Sequence, residues 1–458
     1  MPIESINPAN NKLLRTFEPL TDEAARQKIA LAEDAYRSYR DISLDHRALW
    51  MRKLAAILEH ETEDLATLIT LEMGKPLEAS RLEILKCADA CRYFADYAPR
   101  FLAPESILTE NHSYVRWDPL GIILAVMPWN FPFWQVFRFL APALMGGNVA
   151  LLKHAGNVPQ CALAIESLVR RAGFPRGAFQ SLLLEVHQVE TILADQRIAA
   201  VTVTGSEVAG RAIGAQAGWL LKKSVLELGG SDPFIVMPSA NLDLAVETAV
   251  RARLVNAGQS CIAAKRFIIA DEIYDTFESR FVVEMESVRV GDPMKEGTEI
   301  GPLATARAVE ILEAQVKAAT RVGARILTGG ERMLGEGNFF EPTVLTGVPR
   351  TSAVYREEIF GPVAMLFRAT DINNAIEIAN DTPFGLAASA WTRDPAEQQR
   401  FVAELQCGGV FLNTMVASDP RLPFGGIKRS GYGRELSAAG MREFLNAKTV
   451  VIAAARPL

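Results

Sequence analysis

The stretch NAGQSC, residues 256–261, places a thiol at the end of a Gly-Gln-Ser turn, directly after a helix-like run. Cysteine is scarce in this chain, with five in 458 residues. A lone cysteine is ordinarily inert core filler. To act as a nucleophile, Cys261 needs a reason to ionise, a donor for an oxyanion and a nearby base. VMPWNFPFW (126–134) ends an apolar run with Asn130 set between Pro128 and Pro132. A side-chain amide fixed there either donates to a developing oxyanion or satisfies its own turn. LELGGSDP places Glu227 among leucines before two glycines. A carboxylate half-buried in such a setting has a raised pKa, which suits a general base working near neutrality, while the plainer role is to cap the following turn.

Two further stretches fit a nucleotide. TGSEVAG supplies Gly205 and Gly210 in GxxxxG spacing after a strand and at the opening of a helix, where backbone N–H groups can meet a pyrophosphate. This is not the G-x-G-x-x-G fingerprint, and an ordinary tight turn reads the same way. LLKHAGN puts Lys153 at another strand end, where its ammonium either holds ribose hydroxyls or phosphate or simply faces water. Cys87 and Cys91, one helical turn apart, fit buried packing better than metal binding, because no histidine or further cysteine of ligand spacing accompanies them. His46, His60, His112, His154 and His187 show no such spacing either, so no catalytic metal is expected.

The elements that must position these residues are written in the hydrophobic period. From Thr21 to about Tyr97 the pattern is helical, with an N-cap and acidic first turn in TDEAARQ and a stop at Gly74 and Pro76. After it, GIILAVMP, NVALLKH, FQSLLLE, AAVTVTGS and KSVLELGG are short apolar or β-branched runs separated by helical stretches. Such alternation predicts a parallel sheet with right-handed crossovers, a Rossmann-like unit over 120–229. A second alternating series opens with PFIVM, continues through a helix at 241–256 and the strand KRFIIA, and runs to about residue 430. HSYVRWDPL (112–120) and NAKTVVIAA (446–454) read as strands outside both units, arms that pair with each other or with a neighbouring subunit.

Composition narrows the function class. At this length two or three domains are expected. Hydrophobic residues make up 49% and charged residues 22%, the balance of a globular enzyme rather than a disordered chain. With 48 Lys+Arg against 54 Asp+Glu, the formal charge of -6 offers no field to draw in nucleic acid. No apolar stretch approaches the roughly 20 residues that span a bilayer. The amino terminus lacks the pattern of a secretory signal, and five cysteines without CxxC spacing fit a reducing compartment, so a cytoplasmic protein is expected.

Taken together, PWNFP, TGS, LELGG, GQSC, EEIFGPV, NDTPFGLAA and PFGGIKRSGYGRE, in this order, resemble the aldehyde dehydrogenase superfamily from about residue 5 to 455, with wording most similar to its short succinate-semialdehyde dehydrogenase branch. The resemblance implies an α/β fold: a Rossmann-like cofactor domain (1–101 and 120–229), a second α/β catalytic domain (230–430) and a small β oligomerisation arm (102–119 and 431–458). It implies that the Cys261 thiolate attacks the aldehyde, that Asn130 and the Cys261 N–H hold the oxyanion, and that hydride passes to a nicotinamide. Glu227 would then activate the water that hydrolyses the thioester, with Glu435 relaying a proton. It sets Lys153 on the adenosine ribose and Gly205 and Ser206 at the pyrophosphate. Glu358 would clamp the nicotinamide ribose beside Phe360, and Pro128, Trp129, Ala155 and Gly156 would also line the cofactor site.

One departure bears on the cofactor. Members strict for NAD often carry a glutamate three residues after the lysine, where this chain has Gly156, so NADP is favoured and NAD remains open. For the substrate, Arg138 matches a position where semialdehyde enzymes grip the distal carboxylate, against the alternative of an ion pair within the protein. Trp134, Ser418 and Arg421 are pocket neighbours by the same resemblance. A second arginine found in some of these enzymes is Val255 here, and Ile262 and Ala263 after Cys261 exclude a Cys-x-Cys lock. The activity implied is oxidation of succinate semialdehyde by a homodimer or homotetramer, the alternatives being another short aldehyde such as glutarate semialdehyde, or a non-catalytic member.

Overall fold

A computed structural model describes residues 2–109 and 112–453. Strands Ile122–Met127, Val149–His154, Phe179–Ser181, Ile198–Thr204 and Lys223–Glu227 form one parallel sheet, and all but the last are almost wholly buried along their length. Burial on both faces is why these strands read as unbroken apolar runs rather than alternating ones. Ile122–Met127 lies between Val149–His154 on one side and Ile198–Thr204 on the other, so the strand order reverses beside it. A crevice opens at the carboxyl ends of strands at such a point. Asn130, Gly205 and Lys153 therefore all follow or end strands at one edge of one sheet.

A second sheet of seven strands has Val363–Ala369, Arg266–Ala270, Pro233–Val236 and Ala387–Trp391 at its centre, all parallel, with Arg325–Thr328 antiparallel at one edge and Gly409–Leu412 at the other. Each large sheet has its own cluster of buried apolar side chains. The two arms pair with each other: His112–Pro119 lies between Glu105–Leu108 and Leu445–Ile452 in a three-stranded antiparallel sheet. The expected arms also include residues 110, 111 and 454–458, which lie outside the described residues. Gly431–Tyr432 instead returns to the first sheet and pairs with Leu226 and Glu227. An amino-terminal hairpin, Ile3–Asn7 with Lys12–Phe17, was not expected; its second strand is exposed and carries no apolar alternation to announce it.

The helical region does more than cover the sheet. Thr21 caps the helix Asp22–Tyr39 by accepting from the Ala24 N–H, and Gly74, at φ 84°, ends the helix Thr62–Met73 in the left-handed region that glycine enters freely. The chain then re-enters a helix over Leu77–Phe101, from which Glu83 reaches the helix Trp134–Met145. Glu83 Oε1 accepts from the N–H groups of Phe133 and Trp134, 2.9 Å each, and its other oxygen pairs with the Lys75 ammonium. A carboxylate at that helix start satisfies donors the helix itself cannot. Lys75 in turn lies 3.8 Å from the centre of the Phe131 ring. This buried ion pair seats the PWNFP turn.

His154 secures the same turn from the sheet. Its Nδ1 accepts from the Ala155 N–H at 2.9 Å, which leaves the proton on Nε2 to donate to the Pro132 carbonyl at 2.8 Å. Burial pushes the imidazole down to about 4, so it stays neutral. Changing Glu83 to Ala leaves a buried ammonium and two helix N–H groups without an acceptor. We expect a loss of about 3–5 kcal/mol in unfolding free energy, read from the denaturant midpoint; a loss below about 1 kcal/mol would contradict this role of the pair.

Candidate active site

The turn that carries Cys261 has an unusual backbone. Asn256, Ala257 and Gly258 all adopt positive φ, at 54°, 55° and 73°. Two of these three are not glycine, so the conformation costs about 1–2 kcal/mol per such residue and must be held from outside. Asn256 Nδ2 donates to the Asn130 carbonyl at 2.7 Å and to the Gln259 carbonyl at 3.1 Å. Gln259 Oε1 accepts from the Ala304 N–H, and Arg253 donates to the Gly258 carbonyl. Lys265, buried, donates to the carbonyls of both Ser260 and Cys261, 2.7 Å each. A Cβ on Gly258 would fall 2.1 Å from the Gly361 carbonyl oxygen, so only glycine fits there.

Asn130 meets this turn directly. Its Nδ2 donates one hydrogen to the Gln259 carbonyl at 3.1 Å. The amide is thereby fixed beside the nucleophile turn with a second hydrogen to offer. Glu227 ends its strand 2% exposed, and neither carboxylate oxygen has a hydrogen-bond partner among the described residues. Burial first, and the neighbouring Glu435 second, hold the Glu227 carboxyl well above the usual carboxylate range, against the pull of Arg138 and Arg434. Arg138 is also buried; it pairs with Glu435, donates to Thr204 Oγ1 at 3.3 Å and lies 4.5 Å from the centre of the Phe424 ring. Arg138 thus pairs with one carboxyl group and acts on the second through its charge.

Cys261 lies where two cavities meet. One, of about 280 Å³, is the cleft at the strand ends, lined by Pro128, Trp129, Asn130, Gly205, Ser206 and Glu227 among others. The other, of about 260 Å³, is mainly apolar and includes Trp134, Arg138, Val255 and Phe424. Among the described residues, only Cys261 and the unanticipated Gln135 line both. Burial pushes the Cys261 thiol up to about 12, with Arg138 and Lys265 the groups that draw it down. Cys87, Cys91 and Cys161 lie wholly in the core. Among the described residues, no group of three or more His, Cys, Asp or Glu gathers where a metal ion could be held.

The remaining cleft residues take these places. Trp129 and Phe360 face each other edge-on, 5.9 Å between ring centres. Ser206 caps the helix Glu207–Trp219, and Gly205 donates its N–H to the Glu227 carbonyl, tying the turn to the strand that bears the carboxylate. Lys153 is largely buried, and neither a hydrogen bond nor an ion pair engages its ammonium among the described residues. Lys153, Ala155 and Gly156 stand at the next strand end rather than in the cleft lining, and a Cβ on Gly156 would meet nothing within 4 Å. Glu358 is turned inward: it accepts from the Gly230 N–H at 3.1 Å and lies 3.3 Å from the Lys265 ammonium.

In the apolar cavity, Trp134 Nε1 donates to Ser418 Oγ at 3.1 Å. Arg421, expected as a neighbour, is exposed, pairs with Asp419 and does not line the cavity. Its place is taken by a residue the motifs did not mark. Lys86, from the helix Leu77–Phe101, brings its Nζ 2.8 Å from Ser418 Oγ and 4.3 Å from the centre of the Trp134 ring. The available signal was a lysine three residues from Glu83 on a helix face that also carries the buried Ile84 and Cys87.

Known proteins resemble this chain along nearly its whole length. The model of the aldehyde dehydrogenase family matches residues 1–450. Succinate-semialdehyde dehydrogenase (NADP(+)) 1 of Mycobacterium tuberculosis is 54% identical over 457 residues, covering 99% of this chain and 100% of the relative. Succinate-semialdehyde dehydrogenase (NADP(+)) of Mycobacterium avium is 52% identical, covering 100% of this chain and 98% of the relative. A solved structure of succinic semialdehyde dehydrogenase from Streptococcus pyogenes, in complex with NADP+ as the cofactor, superposes with a TM-score of 0.97 at 37% identity, over 98% of this chain and 100% of that one.

The raised thiol gives a direct test. Below its pKa the thiolate fraction rises tenfold per pH unit, so iodoacetamide labelling of Cys261 in the ligand-free protein should be slow at neutral pH and keep climbing past about pH 9. The labelled peptide is quantified by mass spectrometry. A plateau already reached near neutrality would overturn the assignment.

Proposed function

The chain belongs to the aldehyde dehydrogenase family, and from that premise we propose that it oxidises succinate semialdehyde to succinate with NADP. The observation that carries the reading is the position of Cys261, which lines both the cleft at the strand ends and a separate, mainly apolar cavity, with Asn130 and Glu227 lining the cleft. The names of the relatives, succinate-semialdehyde dehydrogenases of the NADP(+) kind, support the substrate and the cofactor.

The residues present fit the cofactor. The unengaged Lys153 ammonium and the open space beside Gly156 suit a ribose carrying a 2′-phosphate, and a carboxylate that would repel it is missing at 156. The helix start at Ser206 suits the pyrophosphate. Glu358 has its anchor on Lys265, from which a clamp on the nicotinamide ribose would draw it away. When bound, NADP supplies the acceptor that takes hydride from the substrate carbon.

The chain's own groups perform the remaining chemistry. The Cys261 thiol first gives up its proton to solvent at the mouth of the cleft; the thiolate sulfur then forms a bond to the aldehyde carbon while the carbonyl π pair moves onto oxygen, giving a thiohemiacetal oxyanion. The free Asn130 amide hydrogen and the Cys261 N–H steady that charge. Loss of hydride leaves a thioester on Cys261. Glu227, ionised, then takes a proton from water; the hydroxyl adds to the thioester carbon, the carbon–sulfur bond breaks and succinate departs. Glu435, held by Arg138, lies close enough to raise Glu227 electrostatically and is the partner through which the proton leaves.

The positively charged lining of the apolar cavity, with the Ser418 hydroxyl, suits an aldehyde with a distal carboxylate. A homodimer or homotetramer is supported by the outer strand Leu445–Ile452, whose Val451 and Ile452 are exposed. A cytoplasmic setting is supported by five unpaired cysteines. Among the described residues no helix is long and apolar enough to cross a membrane.

Two measurements test this reading. The purified protein should form reduced nicotinamide on addition of succinate semialdehyde, faster with NADP than with NAD and with kcat/KM at least about tenfold above butanal; equal rates on the two aldehydes would defeat the substrate assignment. Glu227→Gln should give a burst of about one reduced nicotinamide per site followed by turnover slowed about 10²–10⁴-fold. Because the ionised carboxylate is the working form and its pKa is raised, thioester hydrolysis in the parent protein should fall as pH drops through a value above the usual carboxylate range.

A further inference from the structure

The apolar cavity holds three cations, and their partners differ. Lys75 is paired with Glu83 and Arg138 with Glu435, both inside the protein. The direct contacts of Lys86 are neutral, the Ser418 hydroxyl and the face of Trp134, and among the described residues no carboxylate lies within ion-pair distance of its ammonium. A partly buried ammonium without an anion is an unusual arrangement, since burial costs the charged form. The cost falls when an anion arrives.

We propose that Lys86, acting with Ser418, is the principal charge partner of the substrate's distal carboxylate, and that Arg138 instead serves the Glu227–Glu435 pair. This rests on the reading of the protein as a semialdehyde dehydrogenase and assigns within it the residue that separates a carboxylate-bearing aldehyde from a plain one. The geometry favours Lys86 because Lys86 and Cys261 line the same cavity of about 260 Å³, which suits a short chain reaching from one to the other. Trp134 fixes the lysine from one side: its ring lies against the ammonium, and its Nε1 orients the same Ser418 oxygen to which Lys86 donates. Arg138, by contrast, already pairs with a buried carboxylate, and withdrawing it would leave Glu435 uncompensated.

Protonation follows the same logic. Burial first, and Arg138 second, hold the Lys86 ammonium down to about 8, while Cys87, Glu83 and Asp419 act in the other direction. Lys75 and the Cys261 thiol also face this cavity. A lysine with a lowered pKa is positive below that value and loses its charge as pH rises through it. Affinity for the semialdehyde should therefore weaken above about pH 8, whereas affinity for an uncharged aldehyde should not follow.

The test is Lys86→Met, which keeps the side-chain stem against Trp134 and removes the charge. Steady-state kinetics with saturating NADP on succinate semialdehyde and on butanal give the ratio of kcat/KM values. We expect the variant's loss on the semialdehyde to exceed its loss on butanal by about tenfold or more, chiefly through KM, and the alkaline rise in semialdehyde KM to disappear. Lys86→Arg should restore part of the preference. An unchanged ratio, or equal losses on both aldehydes, would overturn the proposal while the parent's preference for the semialdehyde still stood. A parent protein without that preference would defeat the functional reading itself. Independently of turnover, succinate should slow iodoacetamide labelling of Cys261 in the parent protein and lose that effect in Lys86→Met; equal protection in both would also count against Lys86.

Discussion

The contact on which this molecule's chemistry depends is a single buried ammonium, that of Lys265, donating to two successive carbonyls of the turn that presents Cys261. Peptide groups on either side of the sulfur are thereby fixed in direction, including the N–H that must meet an oxyanion. The left-handed run at 256–258 would otherwise relax toward an ordinary turn and carry the thiol away from Asn130. The same ammonium lies beside Glu358 in the cofactor cleft. One charge therefore links the nucleophile's backbone to the part of the cleft that a dinucleotide would occupy.

Around that anchor the interior is arranged to keep charges few and matched. Glu227 and Glu435 share Arg138, so the three groups can hold at most one unbalanced negative charge, and repulsion between the carboxyl groups favours retention of a proton. A base prepared in this way is weak enough to be protonated during one half of a reaction and strong enough to accept a proton in the other. The desolvation that raises Glu227 also raises Cys261, and the cations Arg138 and Lys265 oppose it at the thiol. Burial and cationic neighbours are thus balanced differently at the two reacting groups.

The strand-end residues were legible because parallel strands are written as short apolar runs, and a parallel sheet brings their carboxyl ends to one edge. Asn130, Lys153, Gly205 and Glu227 could be placed at that edge before any coordinates, although not the distances between them. Arg138 was legible as a residue type, but its partner Glu435 lies nearly three hundred positions away and leaves no mark near it. Lys86 and Lys265 were invisible for a related reason. One meets Ser418 across 332 positions, and the other meets backbone carbonyls, which every residue carries alike. Arg421 misled because nearness to a motif says nothing of side-chain direction; Asp419, two residues before it, draws it outward. The amino-terminal hairpin went unread because its exposed second strand buries too little to impose a period.

The return of the chain's last segment to the first sheet has a consequence for biosynthesis. Gly431–Tyr432 borders the strand bearing Glu227, Ser430 accepts from the Leu228 N–H, and Leu445–Ile452 covers His112–Pro119, all of them partners translated hundreds of codons earlier. A ribosome-bound polypeptide can stack most of the early sheet while still tethered. It cannot close that sheet's border or install Glu435 until residues 430–435 have emerged. A polypeptide that stops before residue 430 would therefore carry its nucleophile turn but leave the strand bearing Glu227 as an open edge vulnerable to misassembly.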